Sequence, residues 1–187
     1  EMVVARGRVM AENGRLTAEI PPFAYPASAK NTVKMKRELS ADDFAIHAPK
    51  GANEVNARVI GVIENQAPTR ALEKQLKVSS GLVDAGMDSG VCQIALVERH
   101  KATGGVVNAF VSGFGYNVDC AVASTVAHDS HHMIVVGTNR ADMAEAANIL
   151  RRIGGGAVVV SKGRQLALVR LGSIPNGSSV CGTGRGR

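Results

Sequence analysis

The chain has 187 residues, 45% of them hydrophobic and 20% charged, with a formal net charge of +6. That length holds one domain, or one domain with a small extension, in the composition range of an ordinary globular protein. Apolar runs such as Ala157-Val158-Val159-Val160 fall far short of the about 20 residues that cross a bilayer, and 3% aromatics are too few for a base-stacking platform.

The positive charge is scattered, with only short pairs such as Lys36-Arg37 and Arg151-Arg152. It reads as a solvated basic surface, so neither nucleic acid nor a membrane is an expected partner. Cys92, Cys120 and Cys181 are odd in number and lack CxxC spacing, which suggests neither a disulfide framework nor a zinc knuckle. A reducing, cytoplasmic setting follows as the expectation. No amino-terminal signal segment is visible, and a chain opening on Glu1 reads as a fragment.

In chain order, residues 1–21 form a small β unit, with turns at Arg6-Gly7 and Asn13-Gly14. Asn-Gly supplies the positive φ angles of a tight hairpin turn. So short a unit cannot bury its own core and reads as part of a sheet completed elsewhere. Residues 22–30, with Pro22 and Pro26, are the expected linker, since proline removes backbone donors and stiffens the path. From Asn31 the pattern is mostly strand: Val55–Ile63, Arg70–Val78, Val91–Arg99, Val106–Val111 and Ala121–Val126, followed by Met133–Gly137. A helix is predicted over Ala141–Ile153, capped by Asn139 or Thr138, with Asp142 and Glu145 at its start and Arg151-Arg152 at its end, matching the dipole. Its apolar stripe is Met143, Ala146, Ala147, Leu150 and Ile153. The glycines 154–156 end it, and a hairpin Ala157–Ser161 / Gln165–Leu171 follows. The expected fold class is α+β, a largely antiparallel sheet with helices on one face, over residues 31–171. Residues 172–187, rich in glycine and serine, read as a disordered tail.

Chemistry concentrates in Ala127-His128-Asp129-Ser130-His131-His132, directly before a strand. Several imidazoles beside a carboxylate and a hydroxyl are the materials of proton transfer or metal binding. Three readings of the segment stay open. It could be an independent metal site, though no second cluster of ligands completes a shell. It could be a turn in which Asp129 and Ser130 bond backbone amides. Or it is a catalytic or substrate-facing loop in which Asp129 orients an imidazole, with His128, Asp129 and His131 as the catalytic candidates and Ser130 and His132 as substrate-binding ones. Glu98-Arg99-His100, at a strand end, reads as a solvated edge.

The stretches Arg6–Gly14, Val59–Ile63, Val97–Gly104, Phe110–Gly115, Ala127–His131, Val135–Asn139 and Gly154–Gly156 together resemble the carboxy-terminal part of bacterial adenine deaminases, of the amidohydrolase superfamily. The resemblance runs from Met2 to about Leu171. It implies a metal-binding barrel that this chain lacks, a small β domain whose returning strands are residues 1–21, and a carboxy-terminal domain at 31–171. It implies hydrolysis of adenine to hypoxanthine and ammonia with a divalent metal, manganese or iron, in the full-length enzyme. No metal or other cofactor is expected in this chain itself. The implied partners are adenine, the missing barrel domain and a second copy in a homo-oligomer. The His-Asp-Ser-His loop would complete the adenine pocket or move protons. The tail departs from the family, pointing to truncation or a shifted frame. The alternative is a non-catalytic binding or interaction domain that retains the fold.

Overall fold

The computed structural model describes residues 1–19, 21, 26, 32–128 and 130–171. Apart from Pro26, the expected linker lies outside the described residues, as do the expected tail and Asp129.

Strands β1 (Met2–Ala5), β2 (Arg8–Glu12) and β3 (Arg15–Leu16) form a separate three-stranded antiparallel sheet. Both of its turns use the anticipated pairs in left-handed conformation, Arg6-Gly7 at φ 49° and 74° and Asn13-Gly14 at φ 50° and 75°. Met2, Val3, Val4 and Leu16 are exposed on it.

The remaining strands are β4 (Glu54–Gly61), β5 (Arg70–Ser79), β6 (Leu82–Val83), β7 (Val91–Val97), β8 (Val106–Ser112), β9 (Ala121–Ser124), β10 (Met133–Gly137), β11 (Gly156–Ser161) and β12 (Arg164–Arg170). They form one sheet in the order β12-β11-β9-β10-β7-β8-β4-β5-β6. All pairings are antiparallel except β4 with β8, where Val59 lies opposite Phe110 in parallel register. The α+β class holds, in a mixed sheet.

The helix α1 (Arg140–Ile153) lies on one face of this sheet. Asn139 caps it by accepting from the Asp142 amide at 2.8 Å, and Gly154 ends it at φ 81°. The predicted stripe packs inward: Met143, Ala146, Ala147 and Leu150 are fully buried against Val97, Ala123, Val135 and Val158. Gly137 lets the helix approach, since a Cβ there would stand 2.6 Å from Met143 Cγ and 2.9 Å from Ala121 Cβ.

Asp142 does more than match the dipole. It is buried, and its carboxylate accepts from the backbone amides of Lys162 at 3.0 Å and Gly163 at 2.7 Å, so it ties the helix start to the β11–β12 turn.

Residues 32–53 depart from the expected strand pattern. Apart from a single bridge between His47 and Leu82, they form a 3₁₀ turn (Ala41–Phe44) and extended chain laid over the sheet. Side chains from distant elements take the place of a strand partner. Asn148 bonds both the amide and the carbonyl of Leu39, at 2.9 and 2.8 Å. Gln93 donates to the carbonyl of Phe44, and Asn108 donates to that of Asp43 at 2.9 Å. Buried backbone polar groups must be satisfied by something, and here it is amides from the sheet and helix.

Candidate functional site

Four sequence-distant segments meet at one end of the sheet. β7 ends there and β10 begins, with Val97 opposite Met133; β9 ends there and β11 begins, with Ser124 opposite Ala157. The connection after β7 and the His-rich connection before β10 are therefore neighbours.

The first connection is organised by Glu98. Its carboxylate accepts from the amides of His100 at 2.5 Å, Lys101 at 2.7 Å and Thr103 at 2.9 Å, and from the Thr103 hydroxyl at 3.0 Å. These donors, led by the Lys101 amide, hold its pKa down at about 2 from an ordinary 4.5. Arg99 corrects the solvated-edge reading. It is buried, and it donates to the carbonyls of Thr32 and Thr125, each at 3.2 Å, stapling the start of the domain to β9. Burial lowers its pKa from the usual value. Its Nε finds no partner among the described residues.

In the second connection the chain closes a tight turn. The Ser130 amide donates to the carbonyl of His128 and the His131 amide to that of Ala127, both at 2.9 Å, which takes His131 into the left-handed region at φ 52°. The Ser130 hydroxyl accepts from the His132 amide at 3.4 Å. His128, Ser130 and His131 are exposed, His132 is half-buried, and Asp129 lies outside the described residues.

The structure brings His132 together with His100, their ring centroids 5.0 Å apart and tilted by 43°. Sequence reading left His100 out of the cluster. The signal for including it is the antiparallel pairing of β7 with β10, which sets residue 100 diagonally across from residue 132.

Among the described residues no group of three or more His, Cys, Asp or Glu side chains is placed to hold a metal ion. The described donors of the turn, His128, Ser130, His131 and His132, form no such group. Two cavities, of about 610 and 180 Å³, are lined by other residues, among them Asp84, Asp119, Cys92 and Tyr116. What this end of the sheet offers is a fixed turn carrying imidazoles and a hydroxyl outward: groups able to exchange protons with, or hydrogen-bond to, something set against them.

A family model for the adenine deaminase C-terminal domain matches residues 66–174. Adenine deaminase 3 of Rhizobium meliloti is 65% identical over 171 residues, which is 91% of this chain and 29% of that protein. The adenine deaminase of Mesorhizobium japonicum is 63% identical over 169 residues, 90% of this chain and 28% of that protein. For that of Moorella thermoacetica the identity is 44% over 171 residues, again 91% and 28%. The chain spans less than a third of the length of these relatives.

Proposed function

The chain belongs to the adenine deaminase family, and from that premise we propose that it serves as the carboxy-terminal portion of an enzyme that hydrolyses adenine to hypoxanthine and ammonia in purine breakdown. The observation that carries this reading is 65% identity sustained over 171 residues to a protein called an adenine deaminase. The metal of the resemblance, manganese or iron, would supply an activated water from outside this chain; the described donors offer it no seat. Alone, the chain turns over no adenine.

Its part in the reaction is to present the 127–132 turn to the catalytic portion. His128, Asp129 and His131 would accept or return the protons that let ammonia leave, with Asp129 orienting an imidazole. Ser130 and His132 would bond the adenine edge. The tight turn supports this, because its two backbone hydrogen bonds fix the positions from which the imidazoles project. Two buried free thiols, Cys92 and Cys120, suit a reducing, cytoplasmic setting.

An ammonia-release assay tests the reading. The chain is assayed alone and together with the remainder of the Rhizobium meliloti protein, with divalent metal present in both. Turnover only in the combined sample is the expected result. Association without turnover would favour an interaction domain instead, and metal-dependent turnover by the chain alone would overturn the division of labour.

A further inference from the structure

The two faces of the nine-stranded sheet are treated differently. One is covered by α1 and the 3₁₀ turn. Strand alternation assigns the opposite face the residues Val107, Leu96, Ile94, Ile134, Val122 and Val159. Across β8, β7, β10, β9 and β11 no charged side chain occupies this face. Tyr116 closes over its far end, burying Cys92, Val111 and Val136. The end nearer the histidines lies bare, with Leu96 38% and Val107 69% exposed.

The same face changes character at β4 and β5. There it carries Glu54, Asn56 and Arg58 beside Glu73, Gln75 and Lys77, with Gln75 donating to Glu54 at 2.7 Å and Asn56 to Glu73 at 3.0 Å. A face left to solvent along its whole width would carry such pairs throughout. The switch from cross-strand polar pairs to bare aliphatics marks where water is meant to be excluded. At the rim of the aliphatic part stand His100 and His132, and the buried Nδ1 of His132 finds no partner among the described residues.

We propose that the aliphatic half of this open face, from β8 to β11 with its histidine rim, is the surface that docks the rest of an adenine deaminase chain. The inference rests on the functional reading above and assigns it a face. The occupant is chosen by length: the relatives carry more than two-thirds of their sequence outside the matched region, so a large body of polypeptide accompanies this domain in them. Docking here sets the 127–132 turn at the edge of the joint, where its imidazoles can reach into the catalytic portion.

The test is association, measured without turnover. The 187-residue chain is mixed with the remainder of the Rhizobium meliloti protein and followed by analytical ultracentrifugation and titration. A one-to-one complex is expected. Leu96→Asp combined with Val107→Asp should weaken it at least tenfold, the milder Val107→Ser should act in the same direction, and Arg58→Glu on the polar half should stay within about twofold. Circular dichroism and melting identify any variant that fails to fold, in which case Val107→Ser decides. Absence of association by the wild type, or unchanged association of both aliphatic-face variants, would overturn the proposal. So would a wild-type chain that dimerises alone through a contact dissolved by Val107→Ser, since that gives the face to a second copy. A complex that forms through this face yet releases no ammonia from adenine would sink the functional reading and leave the docking surface standing.

Discussion

Asp142→Asn isolates how the helix is fixed to the sheet. The wild-type carboxylate is 2% exposed. Its Oδ1 accepts from the Gly163 amide at 2.7 Å, and its Oδ2 accepts from the Lys162 amide at 3.0 Å and from Asn139 Nδ2 at 2.8 Å. Both oxygens therefore face donors. An amide of the same shape must turn its NH₂ toward one of them, so a donor meets a donor whichever way it flips. One charge-assisted hydrogen bond is lost, and with it a negative charge at a helix amino terminus, for a combined cost of about 2–3 kcal/mol. For a domain of this size that lowers Tm by about 5–10 °C. Urea denaturation and calorimetry give the loss, and hydrogen exchange locates it: the Lys162 and Gly163 amides should lose protection before the sheet does. Glu145→Gln serves as the control on the same helix, because its pair with Arg152 is solvent-facing and such pairs contribute about 0–1 kcal/mol. An Asp142→Asn loss no larger than that of Glu145→Gln would refute the claim that this carboxylate ties helix to hairpin.

Glu98 gives the loop after β7 a pH dependence. Because its folded pKa is depressed to about 2 from 4.5, its support is present above the unfolded value and is lost as pH falls from about 4.5 through about 2; amide exchange at His100, Lys101 and Thr103 should show that loss in the wild type and not in Glu98→Gln. Gly137→Ala places a methyl against Met143 and Ala121 and should cost about 1–3 kcal/mol by overpacking, read from denaturation midpoints. In an active combined protein, Asp129→Asn should lower kcat by about 10²-fold if the turn moves protons, whereas a loss confined to KM would mean that it only shapes the pocket; unchanged kcat and KM with the metal still bound would return the turn to a structural role.

Periodicity and turn chemistry were enough to read most of the strands and the helix from the sequence. The alternation in Val55–Ile63 and Arg70–Val78, the apolar runs Val91–Val97 and Met133–Gly137, the Asn-Gly and Arg-Gly turns, the Asn139 cap and the Gly154 stop are all local signals, each set by the preferences of a few adjacent residues. The family resemblance and the density of imidazoles at 127–132 were legible on the same terms. Long-range pairing was not. That residues 32–53 lie over the sheet rather than in it depends on Asn148, Gln93 and Asn108 reaching them from far along the chain. That Arg99 is a buried staple, Asp142 a hairpin anchor and His100 the neighbour of His132 depends on which strands sit side by side. An alternating strand pattern specifies two faces and leaves their neighbours open. Only the order of the strands decided that one face receives the helix while the aliphatic half of the other stays partly exposed, because burial is a property of what lies opposite and not of the residue itself.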